Sequence, residues 1–230
     1  MLLTLFSYPD LFGVADNNPY GLKIFCFLKL CRLPFRHVHI LDTRGAPRGQ
    51  LPYIEEDGQI VGDSDAIVAH LTRRHGLEID ANLSPEQRRL DVMLRRLMDD
   101  LYWVMSYSRW RDDDFWPAFR DALLKTHSDL TSEALEKARE YNFQRYYFQG
   151  IGRYTPQQVY ARGLEDLEAV AELTPDQRFF FGTDATSTDA ALYGFLANIH
   201  FFEIDTPLKR FLDARSNLVR HCELLHSLAA

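Results

Sequence analysis

The first third of the chain alternates between strand-like and helix-like patterns of hydrophobic and polar residues. Residues 2–6 form a continuous apolar run, as expected for a buried strand, and residues 35–41 alternate as a second strand. Between them, apolar residues recur at helical spacing from Pro19, a residue type suited to the first helical position. Residues 53–56 and 59–61 are predicted to be two more strands, joined by an Asp-Gly pair that is typical of hairpins.

A helix is predicted directly after this hairpin. We interpret Ser64 as its N-cap and Gly76 as its end, because three basic residues precede this glycine in the last turn. Residues 77–84 are predicted to be a linker. The pattern therefore predicts an α+β domain with the order βαβ-ββα over residues 1–76, followed by an all-α domain over residues 85–230.

The second domain carries almost only helical signals. Pro85–Trp110 is predicted to be one long helix with its apolar residues on one side, and residues 131–149 another that ends at Gly150. Capping boxes that begin at Thr155 and Thr186 open two further helices. Two shorter helices are expected to complete the chain.

Composition and charge restrict the classes of partner. Hydrophobic residues make up 46% of the chain and charged residues 26%, as in ordinary soluble proteins. The formal net charge of -7 argues against nucleic acid or an anionic membrane as the partner. No apolar run reaches the roughly 20 residues that a membrane-spanning helix needs, and the N-terminus lacks the pattern of a signal peptide. Three scattered cysteines are too few for a disulfide framework, so we expect a reducing, cytoplasmic compartment and predict no metal site.

Pro52 stands at the start of a predicted strand, where a proline has two possible roles. It can simply begin the strand, since it has no N–H to donate to the sheet. Alternatively, it can leave the N–H and C=O of Leu51 free to pair with the backbone of a short peptide, as an added strand would.

Ser64 also allows two interpretations. As a plain N-cap it would only stabilise the helix start. As a ligand group, its hydroxyl and the free N–H groups of the helix would bind a carboxylate, and Asp63 or Asp65 beside it would accept from an ammonium group. A carboxylate next to an ammonium is typical of an α-amino acid. The two features together fit the γ-glutamyl tripeptide glutathione, which has a peptide backbone at one end and a free α-amino acid at the other.

The stretches QLPYIEEDGQIVGDSDAIVAHL and FFFGTDATSTDAALYGFLA resemble the glutathione S-transferase superfamily. DLYWVMSYSRW and GIGRYT resemble its branch of failed-axon-connections and metaxin-like proteins and their bacterial relatives. The resemblance implies a thioredoxin-like N-terminal domain, a cis Leu51–Pro52 bond, and an all-helical C-terminal domain. It also implies a homodimer, glutathione as a substrate, and a hydrophobic electrophile as a second substrate between the domains. The glutathione-binding residues that it implies are Gln50, Leu51, Pro52, Asp63 and Ser64.

The thiol-activating group departs from the family pattern. Members of the family carry a Ser, Cys or Tyr near the end of the first strand or the start of the first helix, whereas this chain has Asn18, Pro19 and Tyr20 there. A hydrogen bond to the thiolate, aided by the helix N-terminus, would lower the thiol pKa. Our candidate donors, in order of preference, are Asn18, Asn17, Tyr8 and Ser7. The alternative role for all four is turn formation.

The electrophile pocket is predicted from aromatic residues. The run from Tyr102 to Trp116 is interpreted as the aromatic-rich end of the long helix, and not all of it can share one face with Leu94 and Met98. Some of these rings should therefore line the interdomain cleft. The residues predicted for this pocket are Tyr20, Tyr102, Tyr107 and Trp110.

Two functions follow from these observations. The first is an enzyme that conjugates glutathione to a hydrophobic electrophile. The second is a non-catalytic, metaxin-like scaffold, which the absence of a Ser or Cys at the helix start favours. Arg109, Arg111 and Arg153 also have two possible roles, attracting an anionic ligand or pairing with the acidic run at residues 112–114.

Overall fold

The computed structural model describes residues 3–230, and its N-terminal domain is built on a four-stranded mixed sheet. The elements of this domain are β1 (Leu3–Ser7), α1 (Pro19–Leu30), β2 (Phe35–His39), β3 (Tyr53–Glu56), β4 (Gln59–Gly62) and α2 (Ser64–His75). The strand order is β2-β1-β3-β4, with β1 parallel to β2 and antiparallel to β3. A parallel βαβ unit followed by a hairpin and a helix is the predicted thioredoxin-like arrangement.

Strand ends differ from the predicted ones by one or two residues. β1 includes Ser7, and the predicted position Leu2 lies outside the described residues. β2 ends at His39, opposite Ser7, because β1 offers no partner strand beyond that residue. A short 3₁₀ turn at Pro47–Gly49 leads into the cis Leu51–Pro52 bond and then into β3.

Among the described residues, helices are the regular secondary-structure elements that follow Gly76. The helices of the C-terminal domain are α3 (Pro85–Trp110), α4 (Trp116–Thr126), α5 (Ser132–Gln149), α6 (Pro156–Leu173), α7 (Ser187–His200), α8 (Pro207–Asp213) and α9 (Ser216–Ala229). No helix within residues 3–230 is long and apolar enough to cross a membrane.

One helix departs from the sequence interpretation. α3 ends at Trp110, as predicted, but Trp116 begins a separate helix, α4, which was not predicted, instead of continuing the aromatic run of α3. The signal was Pro117, which stands in the first turn of α4, where a proline costs no hydrogen bond. The chain therefore turns between these two tryptophans, whose rings still pack against each other at 5.3 Å.

One hydrophobic cluster spans both domains. Residues of α7 and α9, including Ala190, Tyr193 and Leu225, pack within the cluster that also holds the interior of the sheet and α1. α1 and α7 approach closely at Gly194, where an added Cβ would lie 2.4 Å from the carbonyl oxygen of Pro19. Glycine permits this contact, which fixes the start of α1 against the helical domain.

Candidate active site

A cavity of about 600 Å³ lies between the N-terminal domain and the helices α3 and α5. All five residues predicted to bind glutathione line it: Gln50, Leu51, Pro52, Asp63 and Ser64. The cis bond brings Leu51 to the wall of this cavity at the start of β3. Within residues 3–230, neither the N–H nor the C=O of Leu51 has a hydrogen-bond partner. The structure therefore presents a donor and an acceptor to the backbone of a bound peptide.

The helix cap beside this site differs from the predicted one. Asp63, not Ser64, caps α2: its Oδ1 accepts from the N–H groups of Asp65 and Ala66 at 3.1 and 3.0 Å. Asp63 has φ of 79° and its Oδ2 accepts from Arg48 at 2.9 Å. Ser64 is consequently the first helical residue, whose N–H has no acceptor within the helix.

A charged network surrounds Ser64. The ammonium group of Lys23, which is only 4% exposed, donates to Ser64 Oγ at 3.2 Å and also to Asp65. Asp65 accepts in addition from Arg95 at 2.5 Å, and Arg95 also binds Asp91. This end of the cavity therefore combines a hydroxyl, a buried cation and a helix N-terminus, all of which attract a carboxylate.

Asn18 and Tyr8 are the candidate thiol donors that line the cavity. Oδ1 of Asn18 caps α1 by accepting from the N–H of Tyr20 at 3.1 Å. The amide nitrogen Nδ2 is the donor of this side chain. Neither Nδ2 of Asn18 nor the hydroxyl of Tyr8 has a hydrogen-bond partner in the described part of the chain. Burial and the nearby Tyr102 raise the pKa of Tyr8 to about 12, so its phenol keeps its proton at neutral pH.

The other two candidate donors are engaged elsewhere. Ser7 is fully buried, and its hydroxyl lies 2.7 Å from Nε2 of His37. The amide nitrogen of Asn17 donates to the carbonyl of Pro9 at 2.7 Å. Ser7 is the last residue of β1, whereas Asn17 lies in the loop that carries Asn18, and both side chains are held by contacts within the N-terminal domain.

The side chain of Asp16 holds this loop in place through a hydrogen bond to its backbone. Its Oδ1 accepts from the N–H of Asn18 at 2.6 Å, and a Cβ on Gly21 would lie 1.6 Å from its Oδ2. The glycine at the position after Tyr20 is thus explained by the carboxyl of Asp16, which occupies the space beside it. Burial raises the pKa of Asp16 well above its usual value and favours the neutral acid.

A second cavity of about 350 Å³ adjoins the first. Both are lined by six shared residues: Tyr8, Asn18, Thr43, Tyr102, Tyr141 and Arg145. The remaining wall of the second cavity comes from α3, α4 and α5, from the loops before α1 and α5, from Pro19 and from Leu41. A ligand in one cavity would therefore meet a ligand in the other beside Asn18 and Tyr8.

The four predicted electrophile-pocket residues separate in the structure. Trp110 lines the second cavity, Tyr102 lines both, and Tyr20 lines only the first, where its hydroxyl donates to Asp99 at 3.0 Å. Tyr107 lines neither cavity. It is 4% exposed and packs in the helical core against Tyr146, because its position on α3 faces α5 and α6 rather than the cleft.

The three arginines considered in the sequence do not pair with the acidic run. Arg109 is buried and donates to the carbonyls of Asn17 and Asn198, both at 2.6 Å. Arg111 stacks on a phenylalanine ring and Arg153 on a tyrosine ring. The ion pair with the run is made instead by Arg139, which lies on α5.

Sequence reasoning missed several polar residues of the two cavities, chiefly Lys23, Arg48, Arg95, Tyr141 and Arg145. A lysine among the apolar residues of α1 was a usable signal, since a cation at such a position needs a partner. Tyr141 and Arg145, four residues apart on α5, follow no apolar stripe that would have indicated a cavity.

Family models identify both halves of the chain. Residues 19–115 match the glutathione S-transferase N-terminal domain, and residues 163–225 match the glutathione S-transferase C-terminal domain. A solved glutathione S-transferase from Methylobacterium radiotolerans, in complex with glutathione sulfonate, has a TM-score of 0.61 and 17% identity. That alignment covers 97% of this chain and 89% of the other, and it shows the common fold.

Curated relatives agree with the family models. An isoprene-epoxide–glutathione S-transferase from Rhodococcus is 29% identical over 96% of this chain and 97% of its own. Failed axon connections from Drosophila melanogaster is 27% identical over 89% of this chain, which spans 52% of that longer protein. A metaxin-1 homolog from Caenorhabditis briggsae is 26% identical over 98% of this chain and 73% of its own. The chain belongs to the glutathione S-transferase superfamily and is related within it to the failed-axon-connections and metaxin-like proteins.

Proposed function

We propose that this protein binds glutathione in the first cavity and conjugates its thiol to a hydrophobic electrophile held in the second. The observation that carries the proposal is the junction of the two cavities. The unpaired donors of Asn18 and Tyr8 lie at this junction, with the unpaired backbone of Leu51 and the Ser64 end of the first cavity beside it. The γ-glutamyl group, the cysteinyl backbone and the thiol then each have a matching group.

Glutathione would lie along the first cavity with its γ-glutamyl group at α2. Its α-carboxylate would accept from the N–H and hydroxyl of Ser64, close to the ammonium group of Lys23. Its α-ammonium would lie against the carboxylate of Asp63. There it would either displace the exposed Arg48 or share the carboxylate with it. The cysteinyl residue would pair through its backbone with the N–H and C=O of Leu51.

In this position of glutathione, the thiol would lie beside the start of α1. Nδ2 of Asn18 or the hydroxyl of Tyr8 would donate a hydrogen bond to the sulfur, and the N-terminus of α1 would add its partial positive charge. Both effects favour the thiolate, whose proton passes to solvent. The thiolate sulfur then forms a bond to the electrophilic carbon of the second substrate. The electron pair released there leaves with the departing group or stays on the product, which takes up a proton.

Glutathione binding tests the first half of this proposal. We expect isothermal titration calorimetry to show one glutathione per chain, and Ser64→Ala to weaken binding at least tenfold, about 1.4 kcal/mol. The loss follows because the hydroxyl donates to the ligand carboxylate in a water-poor end of the cavity. Ser132→Ala, an exposed serine on α5, is the matched control and should bind like the parent. Equal affinity of the parent and Ser64→Ala would contradict this placement of the γ-glutamyl group.

A further inference from the structure

One wall of the second cavity is apolar. Leu123 of α4, Leu130 before α5, and Leu135 of α5 line it together with small alanines of α5 and with Trp110. Such a wall favours the hydrophobic body of a ligand over a strongly hydrated one. This property alone agrees with any hydrophobic electrophile.

Charge distinguishes this cavity from the rest of the molecule. The protein has 33 acidic residues and a formal net charge of -7, yet no Asp or Glu is among the residues that line the second cavity. Two arginines line it, Arg109 and Arg145. The first cavity, by contrast, combines cations with carboxylates: a lysine and four arginines line it together with Asp63, Asp65 and Asp99.

The guanidinium of Arg109 is already bound by other groups of the protein. Its guanidinium donates to two backbone carbonyls and stacks on the ring of Phe202 at 4.6 Å. Burial lowers the pKa of Arg109 to about 10, so the group stays cationic at neutral pH. It contributes positive charge to the cavity while its hydrogen bonds hold the loop before α1.

The guanidinium of Arg145 is held differently. It donates to Oδ1 of Asn142 at 2.8 Å, stacks on Trp103 at 5.2 Å and contacts the side chain of Tyr102, but it forms no ion pair with any carboxylate within residues 3–230. A guanidinium carries five donors in a planar fork that matches a carboxylate. The cation therefore has polar and aromatic neighbours but no carboxylate, and the acid group of a ligand can supply one.

We propose that the electrophile is a hydrophobic carboxylate whose acid group binds Arg145 and whose apolar body lies against the leucines of α4 and α5. This inference rests on the proposed function, because it names the substrate class of that same site. Arg145 lies at the junction of the cavities, so the reactive carbon must be near the acid group. Aryl-substituted unsaturated acids, with the alkene next to the carboxylate, have this shape.

The conjugation of such an acid is a simple addition. In 4-oxo-4-phenylbut-2-enoate, the thiolate sulfur bonds to the alkene carbon next to the carboxylate. The alkene electron pair moves toward the ketone as an enolate, which then takes a proton from water. No group leaves, and glutathione and the acid combine into one product.

Binding of an unreactive analogue tests the assignment without relying on glutathione. We expect 4-oxo-4-phenylbutanoate to bind the native chain at least tenfold more tightly than its neutral amide 4-oxo-4-phenylbutanamide, measured by calorimetry. Arg145→Gln should remove this preference. Arg153→Gln, which deletes an exposed arginine outside both cavities and makes the same change in net charge, should retain it. Equal binding of acid and amide by the native chain, or a preference that survives Arg145→Gln, would overturn the proposal.

Turnover with glutathione gives the second readout. The ratio of kcat/KM for 4-oxo-4-phenylbut-2-enoate to that for its amide should fall at least tenfold in Arg145→Gln. A raised thiol pKa of bound glutathione in Arg145→Gln, with an unchanged ratio, would assign the guanidinium to the thiolate and overturn the proposal. Absence of turnover with both compounds would count against the transferase function, while the binding comparison would still decide the role of Arg145.

Discussion

Replacing Asp65 with alanine is expected to lower the free energy of unfolding by about 3 kcal/mol, because the buried ammonium of Lys23 would lose the only carboxylate partner it has within residues 3–230. Arg95 would lose one of its two carboxylates as well. Asp65 is about a third exposed, so we expect the low end of the roughly 3–5 kcal/mol measured for broken buried pairs. Urea unfolding at neutral pH measures the change.

The network that this substitution breaks connects four helices. Lys23 lies on α1, Asp65 on α2, and Arg95 and Asp91 on α3, and Asp91 accepts from the hydroxyl of Thr188 on α7 at 2.8 Å. Asp121→Ala is the control, since this exposed carboxylate pairs with the neighbouring Arg120 on the surface. A loss for Asp65→Ala no larger than that of the control would show that the network does not hold the domains together.

The effect of Asp65 should depend on pH. Burial alone would raise the pKa of Asp65, but Lys23 and Arg95 outweigh burial and hold it below its usual value. The unfolded value is about 3.9, so the stabilisation is complete above that pH and is lost as the pH falls through the folded pKa. The difference between the parent and Asp65→Ala should therefore shrink at acid pH.

Asp189→Ala is expected to lower the free energy of unfolding by about 3–5 kcal/mol. The carboxylate is fully buried, and its Oδ1 accepts from the N–H of Phe180 at 2.7 Å and lies 3.1 Å from Nε2 of His221. Its Oδ2 accepts from the N–H and the hydroxyl of Thr186, both at 2.8 Å. Alanine would leave these buried donors without an acceptor, which costs more than the bonds themselves contribute.

Asp189 is a further source of pH dependence. Burial opposes its ionisation, but the hydrogen bonds from His221 and from the backbone of Phe180 and Thr186 hold its pKa below the usual value. Its stabilising effect should thus also disappear only at acid pH. Asp184→Ala, an exposed carboxylate in the loop just before α7, is the control in urea unfolding. A cost below about 1 kcal/mol for Asp189→Ala would contradict the assignment.

Local capping signals predicted the starts of several helices correctly, although α4 was not predicted. Pro85–Trp110 begins and ends where the sequence indicates, because Ser84 and Gln87 close a capping box and Pro85 fits the first turn. Thr155 and Thr186 likewise precede helices at the predicted positions. These signals depend on residues within one turn of each other, and tertiary contacts do not override them here.

The site was harder to predict because its decisive features are not local. Asp63 and Ser64 are both good N-cap types, and only the positive φ of Asp63 places its carboxylate on the helix N–H groups. Tyr102 and Tyr107 are equally plausible cleft residues in sequence, yet the packing of α5 and α6 buries one of them. Nothing near Arg145 in sequence reveals that it has no carboxylate partner among residues 3–230, since this depends on helices that meet only in the fold.

The thiol pKa of bound glutathione tests the central claim most directly, namely that the start of α1 activates the thiol. Ultraviolet absorbance of the thiolate, followed against pH at saturating glutathione, measures it. We expect a pKa below about 7.5 in the native chain, against about 8.5 for an ordinary thiol, and a rise toward the ordinary value in Asn18→Ala, with turnover at least tenfold lower, about 1.4 kcal/mol in barrier. A bound thiol that titrates near 8.5 in the native chain would contradict the enzyme and support a glutathione-binding scaffold.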